Sequence, residues 1–195
     1  EMEAVNVKLL KQSETDQMTG LANRYRLNAY SEKVLDYCYE HRLPLAMEIL
    51  DIDFFKQYND NYGHQQGDEC IIAIADELKK MEDRQTFCAR YGGDEFIIIY
   101  AGISAEEVHA KAGALRQNIM NLKLEHLYSN ALPIVTISQG ISYGVPEEGN
   151  RSWDFLHTAD MLLYQVKKRS RNDICIADIR GQELDLSSKQ EKVEP

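Results

Sequence analysis

The sequence predicts an α/β fold in which one mixed sheet is flanked by helices, and three observations lead there. Apolar runs of strand length interleave with segments of helical periodicity along the chain. Two strand-like runs, residues 86–91 and 95–100, stand on either side of Gly92-Gly93. Paired glycines at such a place signal a hairpin, because primed turns need positive φ, and a hairpin makes part of the sheet antiparallel. Finally, 195 residues with a 44% hydrophobic fraction and no internal repeat fit one domain with extensions at its ends.

Taken in order, residues 1–15 carry Met2, Val5, Leu9 and Leu10 on one stripe, which predicts a stalk helix entering the domain. Such a helix either continues a coiled coil upstream or packs on the domain; its length alone is marginal. Residues 23–41 repeat apolar side chains at threes and fours: Tyr25, Leu27, Tyr30, Val34, Leu35 and Cys38. Pro44 stops that helix and opens a strand over 45–51. A short helix is expected over 53–62 with Asp53 as its N-cap, then a longer one over 66–81 with Cys70, Ile71, Ile74, Ala75 and Leu78 inward. After the hairpin, Ser104 and Glu107 form a capping box for a helix to about residue 122. A strand over 134–143, a helix over 153–169 and a last strand over 173–179 complete the set. The tail from Gly181 to Pro195 is polar and expected to be disordered. The organisation expected is a stalk over 1–15, a catalytic domain over 16–180 and a tail over 181–195.

Composition narrows the function. A net charge of -10 repels phosphate backbones, which argues against general nucleic-acid binding. A nucleotide is still admissible, since metal ions bridge carboxylates to phosphates. Cys38, Cys70, Cys88 and Cys175 are scattered without a Cys-x-x-Cys pair, as expected for apolar filler in a reducing cytoplasm. No stretch approaches the roughly 20 apolar residues of a membrane helix, and no signal-peptide pattern opens the chain. The expectation is a soluble, cytoplasmic domain, with any membrane anchor lying upstream.

Two acidic features carry chemistry. Asp51-Ile52-Asp53 ends an apolar strand, and Asp94-Glu95 follows the glycine pair. Acids at strand ends are costly unless paired, hydrated or metal-bound, and hard carboxylate oxygens suit Mg²⁺ held together with substrate phosphates. Alternation puts Asp94 and Phe96 on one face and Glu95 and Ile97 on the other, so the two carboxylates do different jobs or one turns off the strand. Taken alone, an Asp-x-Asp is more often a cap or a solvated turn. Glu48 is odd within an apolar strand and is expected to be paired or at the sheet's rim.

Five stretches carry a resemblance. They are residues 16–24, reading Asp-Gln-Met-Thr-Gly-Leu-Ala-Asn-Arg; Asp51-Ile52-Asp53-Phe54-Phe55-Lys56; Asn59-Asp60 with Gly63-His64 and Gly67-Asp68; Arg90-Tyr91-Gly92-Gly93-Asp94-Glu95-Phe96; and Ala159-Asp160 with Tyr164, Lys167, Arg171 and Asn172. In this order they resemble the GGDEF family of diguanylate cyclases over nearly the whole chain.

That resemblance implies a palm-like fold similar to polymerases and nucleotidyl cyclases, and an enzyme joining two GTP into cyclic di-GMP. It implies Mg²⁺ (or Mn²⁺) held by Asp51, Asp94 and Glu95 with the Ile52 carbonyl. The general base stays open between Asp94 and Glu95. Lys56 stabilises phosphate charge, Lys167 and Arg171 hold the terminal phosphates, and Phe54, Phe55, Gly92 and Gly93 border the substrate. Asn59 and Asp68 read the guanine edge, with His64 in the same pocket, although alone His64 reads as a turn histidine. The partners implied are a second copy of the domain, needed because each domain holds one GTP, and an upstream sensor. The alternative is a silent nucleotide-binding signalling module, which would usually have lost the acids or glycines kept here.

Five residues are read as structural: Asp16 and Arg24 tie the stalk to the domain, while Tyr58, Tyr62 and Tyr91 pack. Two departures from the family's pattern stand out. Asp83 and Thr86 replace the Arg and Asp of the product-inhibition motif, and Ser170 replaces a usual glycine, which puts the reach of Arg171 in question.

Overall fold

The computed structural model describes residues 14–184 and 186, so nearly all of the expected stalk and most of the tail lie outside the described residues. Ten elements follow in order: α1 (Arg24–His41), β1 (Leu45–Ile52), α2 (Phe55–Tyr62), α3 (His64–Met81), β2 (Thr86–Gly92), β3 (Glu95–Ala101), α4 (Ala105–Asn121), β4 (Ile137–Gly144), α5 (Ser152–Arg169) and β5 (Ile174–Asp178). The sheet runs β2-β3-β1-β4-β5. β1 is antiparallel to both β3 and β4, β2 is antiparallel to β3, and β5 joins β4 in parallel. The mixed sheet flanked by helices is therefore the one expected.

Alternation along β1 explains the two layers. Leu45, Met47 and Ile49 point toward α1 and α5, meeting Leu27, Val34, Leu35, Phe155 and Leu163. Ala46, Leu50 and Ile52 point the other way, toward Ile71, Ile74 and Leu78 of α3 and Val108, Leu115 and Ile119 of α4. With helices on both faces, all eight residues of β1 are buried, which is why that strand reads as an unbroken apolar run. Close seating of α5 depends on Gly140: a Cβ there would fall 2.2 Å from the Ala159 carbonyl oxygen and 2.3 Å from the Leu163 nitrogen. The glycine thus sets how near α5, with Lys167 near its end, lies to the central strand.

Local signals fare well where a side chain caps the backbone. Asn23 Oδ1 accepts the Arg26 N–H at 3.0 Å to start α1. The Ser104–Glu107 capping box is formed, with bonds of 2.8 and 3.2 Å. The hairpin differs in detail, because Gly92 ends β2 at a register shift and only Gly93 has positive φ, at 49°. Glu48 is paired, and it sits at the sheet's centre rather than its rim. Its carboxylate accepts the Tyr100 hydroxyl and the Gln139 amide, each at 2.7 Å, and burial pushes it up to about 7 despite those bonds.

All four cysteines are free and buried. Burial pushes the thiols of Cys38 and Cys175 up to about 11 and that of Cys70 up to about 12, as suits packing rather than chemistry. Beyond β5 the chain turns at Gly181, Glu183 pairs with Ala177, and the Leu184 N–H donates to the Ile176 carbonyl at 3.1 Å. The first residues of the polar tail are thus folded back on β5. No helix among the described residues is long and apolar enough to cross a membrane.

Candidate active site

The end of β1 and the β2–β3 turn are brought together by the sheet register. Asp51 lies directly across from Glu95, and the Ile52 N–H donates to the Asp94 carbonyl at 3.4 Å. Asp51 shares its face with Met47 and Ile49, so it points toward α5, where Lys167 donates to its Oδ2. Glu95 shares the face of Ile97 and lines a recess of about 290 Å³ with Asp160, Met161, Leu163, Tyr164 and Lys167. Asp94 leaves the strand at the turn, so adjacent carboxylates do take different positions.

The field among these groups is negative. Burial pushes Asp51 up to about 6; the Lys167 bond opposes this, and the charges of Asp94 and Glu95 add to it. Glu95 is raised too, first by burial, with Asp94 and Asp160 reinforcing the shift and Lys167 opposing it. Burial is thus the main cause of both shifts, and the acidic neighbours add to it. Among the described residues no three acidic, histidine or cysteine side chains are gathered into a ready-made metal cage.

Asp53 is not the N-cap of α2. The cap position belongs to Phe54, which has left-handed φ/ψ of 54° and 35° and makes no side-chain cap bond. The Asp53 carboxylate is instead fully buried, accepting Thr136 Oγ1 at 2.7 Å, Ser138 Oγ at 2.6 Å and the Asn172 N–H at 3.0 Å. Tertiary donors from β4, the segment before it and the turn after α5 outcompete the local cap, since a buried carboxylate needs several donors. A left-handed aromatic residue costs about 1–2 kcal/mol, which this fixed neighbour helps to hold. The Arg171 guanidinium rests 4.2 Å from the Phe54 ring centroid and 3.6 Å from Asp53. Ser170 needs no glycine: its φ is -141°, and the positive φ values fall at Arg171 and Asn172.

On the other side, Lys56 is exposed on the first turn of α2, beside backbone N–H groups that no side chain caps. Asn59 is half-buried on the same helix, and its Oδ1 is buried without a partner among the described residues. His64 and Asp68 stand exposed at the start of α3. Between these two helices, Gly67 makes the fit: a Cβ there would lie 1.8 Å from Asn59 Oδ1. Gly92 and Gly93 are exposed, and among the described residues no atom would meet a Cβ on either. A need for glycine there comes from the turn at Gly93, or from a ligand, rather than from crowding by the chain.

Sequence reasoning passed over Arg90. Its Nε and Nη2 donate to the Gly93 carbonyl at 3.1 and 2.9 Å while its Nη1 bonds Asp16 Oδ1 at 3.2 Å. Partial burial raises Asp16, but bonds from Thr19 and Arg90 outweigh it and hold the carboxyl below its usual range. Through Arg90, Asp16 steadies the glycine turn; the stalk it was expected to tie down lies almost wholly outside the described residues. Arg24 donates to the Tyr91 hydroxyl at 2.8 Å and lies over that ring, also a structural role. The signal for Arg90 was its place two residues before Gly92. Nothing in the sequence marked Thr136 or Ser138 as partners of Asp53.

Comparison with known proteins matches this arrangement. The family model described as "Diguanylate cyclase, GGDEF domain" matches residues 13–173. The chain is 34% identical over 164 residues to the diguanylate cyclase DgcP of Pseudomonas aeruginosa, covering 84% of this chain and 24% of that protein. The chain spans about half or less of the length of the curated relatives it matches. Among solved structures, the coiled coil and GGDEF domain of DgcB from Caulobacter crescentus, in complex with c-di-GMP, superposes with a TM-score of 0.82 at 27% identity, over 90% of this chain and 92% of that one. The diguanylate cyclase SiaD of Pseudomonas aeruginosa, in complex with its activator SiaC, gives a TM-score of 0.76 at 27% identity, over 90% of this chain and 66% of that one. The acids at the end of β1, the supported glycine turn and the basic end of α5 thus sit on a known framework, and this chain belongs to the GGDEF domain family of diguanylate cyclases.

Proposed function

We propose that this domain condenses two GTP molecules into cyclic di-GMP with release of pyrophosphate. The observation that carries this reading is the convergence of Asp51, Asp94 and Glu95 from two separate segments, with the Lys167 ammonium lodged against Asp51. The residue types fit a hard divalent cation: Asp51 stands across the register from Glu95, next to Asp94, and burial first, then the Asp94 and Glu95 charges, raise Asp51. A cage completed by substrate phosphate and water also suits Mg²⁺ better than an all-protein one. When bound, Mg²⁺ (or Mn²⁺) neutralises the triphosphate and polarises the α-phosphate.

The chain's own residues supply the remainder. Lys167 exchanges Asp51 for a terminal phosphate, and Arg171 swings from Phe54 and Asp53 to the same group. The uncapped N–H groups of α2 and the Lys56 ammonium face the phosphates. The carboxylate of Asp68 accepts guanine N1–H and the exocyclic amine, a pair of donors adenine lacks, while Asn59 Oδ1 is a buried acceptor awaiting a donor beside it. Glu95 or Asp94 takes the proton of the attacking 3′-hydroxyl. Each 3′-oxygen forms a bond to the α-phosphorus of the other nucleotide as the bond to the pyrophosphate oxygen breaks.

One domain presents one such site, so two copies must face each other, at least transiently, and proximity is the main catalytic device. The catalytic unit is residues 16–180, with the stalk relaying a signal from an upstream sensor. Dependence on GTP and four unpaired cysteines support a cytoplasmic site of action. Incubating the purified chain with Mg²⁺ and GTP, with mass spectrometry for cyclic di-GMP, tests this directly. Product from wild type and none from Asp94→Ala supports the reading; GTP binding without any dinucleotide makes the domain a silent nucleotide-binding module instead.

A further inference from the structure

The loop between α4 and β4 carries a histidine that none of this chemistry uses. His126 is fully buried, with its ring edge-on to Tyr58 at a centroid distance of 5.1 Å. Its Nε2 lies 3.0 Å from the Phe54 carbonyl oxygen. A carbonyl only accepts, so Nε2 carries the hydrogen and donates it to Phe54. Its Nδ1 is buried with no partner among the described residues, so the ring's hydrogen bond is the one to the Phe54 carbonyl. The same carbonyl also accepts the Tyr58 N–H at 3.0 Å, the first helical bond of α2. The loop behind the ring is braced, because Glu125 pairs with Ile134 and the His126 N–H donates to Pro133 at 3.0 Å. The Leu127 N–H, in turn, donates to the Tyr62 hydroxyl at 3.0 Å, tying the loop to the far end of α2.

We infer that His126 is a positioning residue for the substrate's phosphates: its bond to the Phe54 carbonyl holds the left-handed turn that aims the start of α2 and Lys56. The inference rests on the GTP reading above. Phe54 occupies a backbone region that aromatic residues seldom adopt, so the turn persists only if its surroundings hold it. Of the groups that hold it, Arg171 is one the chemistry calls away to a phosphate. The His126 ring is buried behind α2 and its loop is braced, so its bond to the Phe54 carbonyl is free to persist when Arg171 turns to a phosphate.

The test compares His126→Phe, His126→Asn and His126→Gln in the full chain. Phe keeps the ring and loses the donor, Asn is too short to reach, and Gln places an amide N–H near the position of Nε2. Steady-state kinetics with GTP and binding of a non-hydrolysable GTP analogue with Mg²⁺ are measured, with thermal unfolding alongside. Loss of one such bond predicts a KM and analogue Kd raised about five- to tenfold for Phe and Asn, with kcat lowered less than about threefold. Gln is expected to restore both to within about twofold of wild type. If Phe fails to fold, the Asn and Gln pair decides. The inference is overturned by Phe and Asn variants with wild-type KM and Kd, by a uniform loss of kcat that Gln does not rescue, or by misfolding of all three. A wild-type chain that neither binds the analogue nor turns over GTP overturns the GTP reading itself.

Discussion

The ammonium of Lys167 is bonded to the carboxylate of Asp51, a cation resting where the acids of β1 and the glycine turn converge. Asp51 is still raised to about 6, chiefly by burial, with the Asp94 and Glu95 charges adding to what the one lysine opposes. On the proposed reading Lys167 serves two partners in turn, Asp51 before nucleotide binds and a phosphate after. Replacing it with Met should separate the two roles. Mn²⁺ binding to the nucleotide-free chain is expected to tighten about fivefold, since a competing charge is gone, while KM for GTP rises about tenfold. Paramagnetic resonance of Mn²⁺ and steady-state kinetics read the two effects.

Gly67 is fixed by its neighbour. A methyl group there must displace Asn59, whose Oδ1 would lie 1.8 Å away. Gly67→Ala is expected to raise KM for GTP about tenfold, the loss of roughly one hydrogen bond with some misplacement, with little change in kcat. An unchanged KM would remove Asn59 from the base pocket.

Glu48 sets a pH dependence of stability. Its folded-state value, about 7, lies above its ordinary 4.5, so the folded protein binds a proton more tightly than the unfolded chain does. That stability is fully present below pH 4.5 and is lost as the pH rises through about 7, amounting to about 3 kcal/mol. Asp51, raised to about 6, adds a slope of the same sign. Glu48→Gln should therefore flatten most of the decline between pH 4.5 and 8, as read by urea unfolding at several pH values. The slope of the wild type persisting in the variant would exclude Glu48 as its source.

Product control is expected to be weak at the place where many relatives carry an Arg-x-x-Asp motif. Here Asp83 accepts Lys111 at 2.9 Å and the Gln85 N–H at 2.8 Å, and Lys111 also bonds Thr86 at 3.0 Å. The stretch is satisfied internally, and an acid stands where a phosphate would have to dock. Cyclic di-GMP titrated into a turnover assay should inhibit little, and submicromolar inhibition would contradict this.

Most of the architecture was legible because it follows from local rules. Ser104 with Glu107 and Pro44 announced element ends, and the apolar run over 45–51 announced a strand. What local rules could not show were bonds made at long range. Asp53 looked like a cap because it precedes a helix, yet its donors lie more than 80 residues away at Thr136, Ser138 and Asn172. Glu48 could be expected to have a partner, but not a central one shared with Tyr100 and Gln139. His126 was invisible for the same reason: a lone histidine in a loop gives no sign that its ring reaches Phe54. The acids themselves were legible as a motif, while their convergence needed the register that sets Asp51 across from Glu95.

The account depends most on acids from two segments sharing divalent ions with a triphosphate, and metal-dependent nucleotide affinity measures that directly. A fluorescent non-hydrolysable GTP analogue is titrated into wild type, Asp51→Asn and Asp94→Asn, each with and without Mg²⁺. Wild type should bind at least about tenfold more tightly with Mg²⁺, and each variant should lose most of that difference. Variants that keep the full Mg²⁺ dependence of the wild type would contradict the account.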